Sequence, residues 1–276
     1  MTIPARSARA RFGEAVQKPE PEVDLAEAAL LIAAEEYPQL APEPYLRRLD
    51  ELAERARDRL WDETAPIVML QEVSRVLFEE EGFRGNRMEY YDPRNSFLNN
   101  VIDRRMGIPI TLSIIYLEVG WRLGIPLHGV NFPGHFLVRY QGEAVQLLVD
   151  PFQSGMVRFE DEAQDLLDHV YGGSVRMQPD FLRAADRCDI LVRLLANLKG
   201  TYLNRRDDVR ALAAIERILL VRPESADDER DRGIVLTRLG RDREAAAALQ
   251  RYLELMPDAP DTARVQLLLD QLEAGP

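Results

Sequence analysis

The C-terminal third of the chain repeats itself, and no other feature narrows the possible folds as far. Arg222-Pro223 recurs thirty-four residues later as Met256-Pro257, and the same offset sets Ala211 on Ala245, Ile215 on Leu249, Ile218 on Tyr252 and Leu219 on Leu253. Apolar residues recur at three and four within each copy, so each copy reads as a helix pair, with Gly240 in the turn between copies. Two units and a last helix over 261–273 fall short of the three or more repeats that a free-standing array needs. They are therefore expected to lean on the preceding residues.

Composition excludes several classes. The chain has 276 residues, with 35 Lys+Arg against 47 Asp+Glu for a formal net charge of −12. Phosphate binding needs clustered positive charge, so nucleic acid is not the expected partner. The single Cys188 rules out a disulfide framework and points to a reducing cytoplasm. His128 and His169 have no second histidine or cysteine at ligand spacing, so neither a metal nor a cofactor is expected. The apolar run 28–34 is too short to cross a bilayer and has no signal-peptide pattern before it, so no membrane role is expected.

Residues 1–22 show no apolar period and end in alternating Pro and Glu, which predicts a flexible segment with order starting at Asp24 as an N-cap. Amphipathic helices are predicted over 24–37, 44–60 and 66–80, the last ending before Gly82, and a short one over 96–104. Residues 110–123 are apolar on almost every side, as only a helix inside a core can be, with Pro109 in its first turn and Gly124 at its end.

Two β-rich runs follow, 135–140 and 144–150, separated by Gln141-Gly142-Glu143. A two-residue loop at Gly142-Glu143 pairs residues whose numbers total 285, which sets His135 opposite Asp150 on one face, with Cβ atoms roughly 4.5 to 5.5 Å apart. A histidine oriented by a carboxylate is the base half of a nucleophilic triad. It is equally the arrangement that satisfies a half-buried imidazole in a purely structural pair.

The thirty-four-residue period is that of tetratricopeptide repeats. Upstream of it, a helix closing in Leu123-Gly-Ile-Pro126, a strand opening with His135 and a strand ending in Val149-Asp150-Pro151 resemble the transglutaminase-like, papain-like cysteine enzymes, in chain order Cys, His, Asp. The closer resemblance is to the bacterial SirB-type family, which joins a degenerate transglutaminase-like core to C-terminal tetratricopeptide repeats. It is carried by Tyr90-Tyr-Asp-Pro-Arg-Asn-Ser-Phe-Leu-Asn99, Asp103-Arg-Arg-Met-Gly-Ile-Pro-Ile-Thr-Leu112, Gly129-Val-Asn-Phe-Pro-Gly-His-Phe-Leu-Val-Arg139, Val149-Asp-Pro-Phe152 and Glu229-Arg-Asp-Arg-Gly233. The resemblance implies an α+β fold, mostly helical, with a small antiparallel sheet. A transglutaminase-like domain with its N-terminal helices would span 23–180, and tetratricopeptide helices 181–276. It also implies that Pro109 stands where such enzymes carry the nucleophilic cysteine.

Two readings follow. The first is a non-catalytic interaction or regulatory protein, a pseudoenzyme with a protein partner, in which His135 and Asp150 are a remnant dyad. The second is a hydrolase or acyl transferase in which the pair works with Ser113, or Thr111, or an activated water. Ser113 lies one turn inside the helix, displaced from the first turn where a nucleophile gains most from the helix dipole. Cys188 follows the histidine and aspartate in chain order and is read as a packing residue. Tyr90, Tyr91 and Trp121 are likewise read as packing, and Asn95, Asn99 and Asn131 as backbone caps or, alternatively, as lining of the old cleft.

Overall fold

The computed structural model describes residues 5–142 and 145–274. Its residues form two compact units, 1–193 and 194–276.

The first unit opens with α1 (Ala5–Val16), α2 (Leu25–Glu36), α3 (Glu43–Leu60) and α4 (Pro66–Ser74), which continues as a π-helical turn over Arg75–Glu80. Then come β1 (Arg84–Gly85), α5 (Leu98–Arg104), β2 (Met106–Gly107) and α6 (Pro109–Arg122). The strands β3 (Leu127–Val130), β4 (Leu137–Gln141), β5 (Gln146–Asp150) and β6 (Met156–Phe159) lead to α7 (Ala163–Tyr171), β7 (Ala184–Ala185) and α8 (Arg187–Asn204), whose residues from Leu194 on belong to the second unit. The sheet is antiparallel throughout, in the order β6-β5-β4-β3-β7, and β1 pairs with β2 in a separate parallel ladder. This is the α+β, mostly helical architecture the sequence implies.

Helix α6 is the centre of this unit. It packs against α2, α3 and α4 and also against β3 and β4, which is why its sequence has no polar face: twelve consecutive residues, Pro109 to Gly120, are buried. Even its one acid is used internally. Glu118 accepts a hydrogen bond from the backbone N–H of Ala26 at 3.0 Å and pairs with Arg122, tying α6 to the first turn of α2. Burial, only partly opposed by Arg122, pushes its carboxyl up.

The N-terminal expectation is corrected. Residues 1–22 were expected to be flexible, yet helix runs from Ala5 to Val16 and packs on α2 with Ala8 and Phe12 fully buried. Arg9 pairs with Glu35 and Arg11 with Glu27 across that contact. The apolar signal is present at Ala8, Phe12, Ala15 and Val16, but small residues and the following Pro-Glu stretch conceal it. Asp24 does cap α2, its Oδ1 accepting from the N–H of Glu27 at 2.8 Å.

The second unit holds α9 (Asp208–Val221), α10 (Ala226–Arg238), α11 (Asp242–Leu255) and α12 (Thr262–Ala274). Both ends of α9 and α11 obey the thirty-four-residue offset, and Ala211, Ala245, Ile215, Leu249, Ile218 and Tyr252 are all buried. The Glu229–Gly233 motif belongs to this packing. Lys199 bridges Asp228 and Asp231 at 2.7 and 2.8 Å, and a Cβ on Gly233 would lie 2.5 Å from the Leu249 side chain. Among the described residues no helix is long and apolar enough to cross a membrane.

Gly233→Val, which forces carbon into Leu249, should lower the free energy of unfolding in urea by about 1–3 kcal/mol. Gly200→Ala, in the interior of α8 with no atom within 4 Å of the added carbon, should raise it by about 0.5–1 kcal/mol. Equal responses to the two changes would show that α10 and α11 do not pack this closely.

Candidate functional site

The site is assembled around the start of α6. Strand β2 runs through Ile108 directly into Pro109, and Thr111 closes this entrance. Its Oγ1 accepts from the N–H of Ile108 at 3.1 Å and lies 2.8 Å from the carbonyl of Asn95, to which it donates. That hydroxyl is committed to the backbone. Ser113, one turn on, is fully buried, and its Oγ has no hydrogen-bond partner among the described residues. Neither hydroxyl is presented to solvent.

The His135–Asp150 pair forms, though not by the expected register. The ladder pairs Val138 with Val149, Arg139 with Leu148, Tyr140 with Leu147 and Gln141 with Gln146, numbers that total 287. The connection therefore spans 142–145, with the N–H of Gly142 donating to the carbonyl of Val145 at 3.2 Å, and is not a two-residue loop. Of that expected loop, Glu143 lies outside the described residues. Asp150 consequently faces Leu137, and His135 lies in the turn before β4, diagonal to Asp150. A shift of two residues preserves the face of a strand, so the imidazole still reaches the carboxylate. Gly134, at φ +69°, turns the chain there, and His135 Nε2 lies 2.9 Å from Asp150 Oδ1.

Asp150 is almost wholly buried, at 1% exposure. Its Oδ1 also accepts from the N–H groups of Phe152 at 3.0 Å and Gln153 at 3.2 Å, capping the 3₁₀ turn Pro151–Gln153. With Nε2 turned to the carboxylate, Nδ1 is the ring nitrogen left for another partner, and it has none among the described residues. In the neutral ring with hydrogen on Nε2, Nδ1 carries the lone pair and is the atom able to accept a proton.

Around the histidine stands an aromatic cluster centred on Phe152. The His135 and Tyr90 rings stand nearly perpendicular to it, with centroids 6.0 and 6.3 Å away, and the Arg87 guanidinium lies over its face at 5.3 Å. Tyr90 in turn contacts Tyr91 at 5.3 Å. Both tyrosines pack, Tyr90 on Phe152 and Tyr91 on Tyr90, but Tyr91 is 63% exposed, so the pair forms a ledge at the surface. Gly85 makes room for the cluster, since a Cβ there would lie 2.4 Å from the Phe152 ring.

The ledge is held by the buried side chain of Asn95, whose amide nitrogen donates to the carbonyls of Glu89 and Tyr90 at 2.7 and 3.2 Å. Asn86 and Arg104 both donate to its Oδ1. Asp92 caps the turn leading into Asn95 and pairs with Arg94 at 2.7 Å. Burial pushes the Asp92 carboxyl up, but the hydrogen bonds and charge of Arg94 outweigh it and hold the group below its ordinary value.

The remaining candidates lie elsewhere. Cys188 is buried with its sulfur 4.0 Å from the carbonyl of Val16. Trp121 donates from Nε1 to the carbonyl of Leu127 at 2.9 Å, as a packing residue does. His128, His169 and Asn131 are exposed. No group of three or more His, Cys, Asp or Glu able to hold a metal ion occurs among the described residues.

Comparison with known proteins agrees with this architecture. Residues 43–196 match the model of the transglutaminase-like superfamily, and residues 198–270 match that of the tetratricopeptide repeat. A UPF0162 protein of Xylella fastidiosa is 40% identical over 245 residues, covering 88% of this chain and 87% of that protein. A UPF0162 protein of Pseudomonas aeruginosa is 32% identical over 248 residues, 90% of each. The F-box only protein 21 of Mus musculus is 44% identical over 84 residues, which are 30% of this chain and 13% of that protein. No solved structure matches the chain.

A carboxylate whose pKa falls on folding adds stability above its unfolded value, near 3.9 for aspartate, and that contribution disappears as pH drops through the folded value. Asp92→Asn should therefore cost about 1 kcal/mol at neutral pH, with the half-exposed Arg94 limiting the effect. Urea unfolding should show the gap to the parent closing below about pH 4. Gly85→Ala should displace Phe152 and shift the His135 ring proton resonances, a change that Gly200→Ala should not produce.

Proposed function

The chain belongs to the transglutaminase-like superfamily and to the UPF0162 family, and from that premise we propose that it is a non-catalytic interaction or regulatory protein of the bacterial cytoplasm. The observation that carries this reading is the start of α6. Pro109, with no nucleophilic atom, opens the helix at the position we assign to the lost cysteine. The nearest hydroxyls are committed, as in Thr111, or sealed in the core, as in Ser113. His135 and Asp150 then persist as a dyad that braces the turn before β4. The tetratricopeptide match over 198–270 supports a protein partner, since such repeats typically bind proteins. An 84-residue likeness to a protein of which it forms 13% also suits a module that serves within larger assemblies.

One observation favours a second reading. Nδ1 of His135 is unpartnered and the imidazole is already oriented by Asp150, which is the arrangement of a general base acting on water. The two readings separate in a screen of acyl esters and aryl amides with the full chain. The interaction reading expects no turnover. Turnover lost in both His135→Ala and Ser113→Ala would overturn it in favour of a hydrolase, and loss in His135→Ala alone would indicate an activated water. His135→Ala should in either case cost stability, about 1–2 kcal/mol, by removing one of three donors to a buried carboxylate.

A further inference from the structure

A cleft of about 630 Å³ lies in the first unit between the α2–α3 connection, the start of α3, the residues after the π-helical turn and the end of α5. That volume is in the range of small-molecule sites. Leu40, Phe83 and Ile102, all buried, give it an apolar wall. Its charged groups are not evenly matched. On the neighbouring helix faces each arginine meets two carboxylates: Arg48 pairs with Glu51 and Glu81, Arg55 with Glu80 and Glu81, and Arg59 with Glu72 and Glu80. Arg105 has only Glu81 among the described residues, at 3.3 Å and already shared with Arg48 and Arg55. Asp103 forms no ion pair among the described residues, and its carboxylate accepts from the phenol of Tyr45 at 2.9 Å. Burial and that carboxylate push the phenol up to about 12, so it remains a donor. Arg105 and Asp103 both line the cleft, yet no ion pair joins them among the described residues. Arg105 also ends α5 in the left-handed region, at φ +54°, where a residue with a β-carbon is strained. Both residues belong to the Asp103–Leu112 string but take no part in the His135 site.

We propose that this cleft binds a small zwitterion with an apolar body, the chemistry of a free apolar amino acid or a dipeptide. Arg105 takes the carboxylate, Asp103 the ammonium, and the wall of Leu40, Phe83 and Ile102 the apolar body. This goes beyond the interaction reading and does not depend on it. A guanidinium presents a planar fork matched to a carboxylate, and the single contact with Glu81 leaves the other nitrogens of Arg105 free to donate. An ionised carboxylate accepts only, so Asp103 has room for an ammonium beside the hydrogen bond from Tyr45. A ligand with one charge would satisfy one of these groups and leave the other facing it without a partner. An apolar wall with a few convergent polar groups is the construction that orients a small molecule.

The test is isothermal titration calorimetry on the full chain. The zwitterionic probes are L-phenylalanine and the phenylalanyl-leucine dipeptide. Their controls are hydrocinnamate, which lacks the ammonium, phenethylamine, which lacks the carboxylate, and N-acetyl-L-phenylalaninamide, which lacks both charges. One zwitterion or both should bind about tenfold more tightly than any control, and the tighter of the two identifies the source. Asp103→Asn should erase the advantage over hydrocinnamate, and Arg105→Gln the advantage over phenethylamine, each a loss of about tenfold. Arg47→Gln, exposed on α3 and outside the cleft, should change nothing. The inference is overturned if any control binds as tightly as the zwitterions, if neither zwitterion binds at millimolar concentration, or if either site variant binds like the parent. The probe series on the parent chain is decisive by itself even where Arg105→Gln loosens the fold.

Discussion

One oxygen atom organises the centre of the first unit. Asp150 Oδ1 accepts from the imidazole of His135 and from two successive backbone N–H groups, those of Phe152 and Gln153. The end of β5, the turn after it and the turn before β4 are thereby fixed to a single point in the interior. A carboxylate oxygen taken out of water needs hydrogen-bond partners such as these. Once it has them, the ring of Phe152 has one place to go, and the ledge of Tyr90, Tyr91 and Arg87 is set relative to it.

That ledge depends equally on what is missing. Gly85 has no side chain, and Phe152 occupies the space a β-carbon would need. Gly85 pairs with Gly107 in the short parallel ladder, and Gly107 leads into α6. The helix entrance and the aromatic cluster are therefore built on one backbone element, with Asn95 joining them from the loop side through its contact with Thr111.

How much of this could be read in the chain follows from how local each signal is. Helix α6 was legible because burial on all sides leaves no polar face to hide, and the repeats were legible because α9 and α11 share one register. The His135–Asp150 pair was legible for a subtler reason: a register error of two residues returns the same face of a strand. Helix α1 was missed because three of its buried positions, Ala8, Gly13 and Ala15, are small and barely raise an apolar period. The ledge as a surface feature was not legible because Phe152, on which Tyr90 packs, meets Gly85 sixty-seven positions away, and no spacing in the chain encodes that.

Pro109 has a consequence beyond the loss of a nucleophile. A proline at the first position of a helix carries no amide hydrogen, so α6 begins with one fewer of the outward-pointing donors that make a helix start hospitable to negative charge. On the proposed reading, a single side-chain change takes away both the atom that would attack and a dipole that would steady the oxyanion formed. A hydroxyl placed nearby would inherit neither, which makes the change hard to reverse piecemeal and leaves the fold free to be kept for what its surface binds.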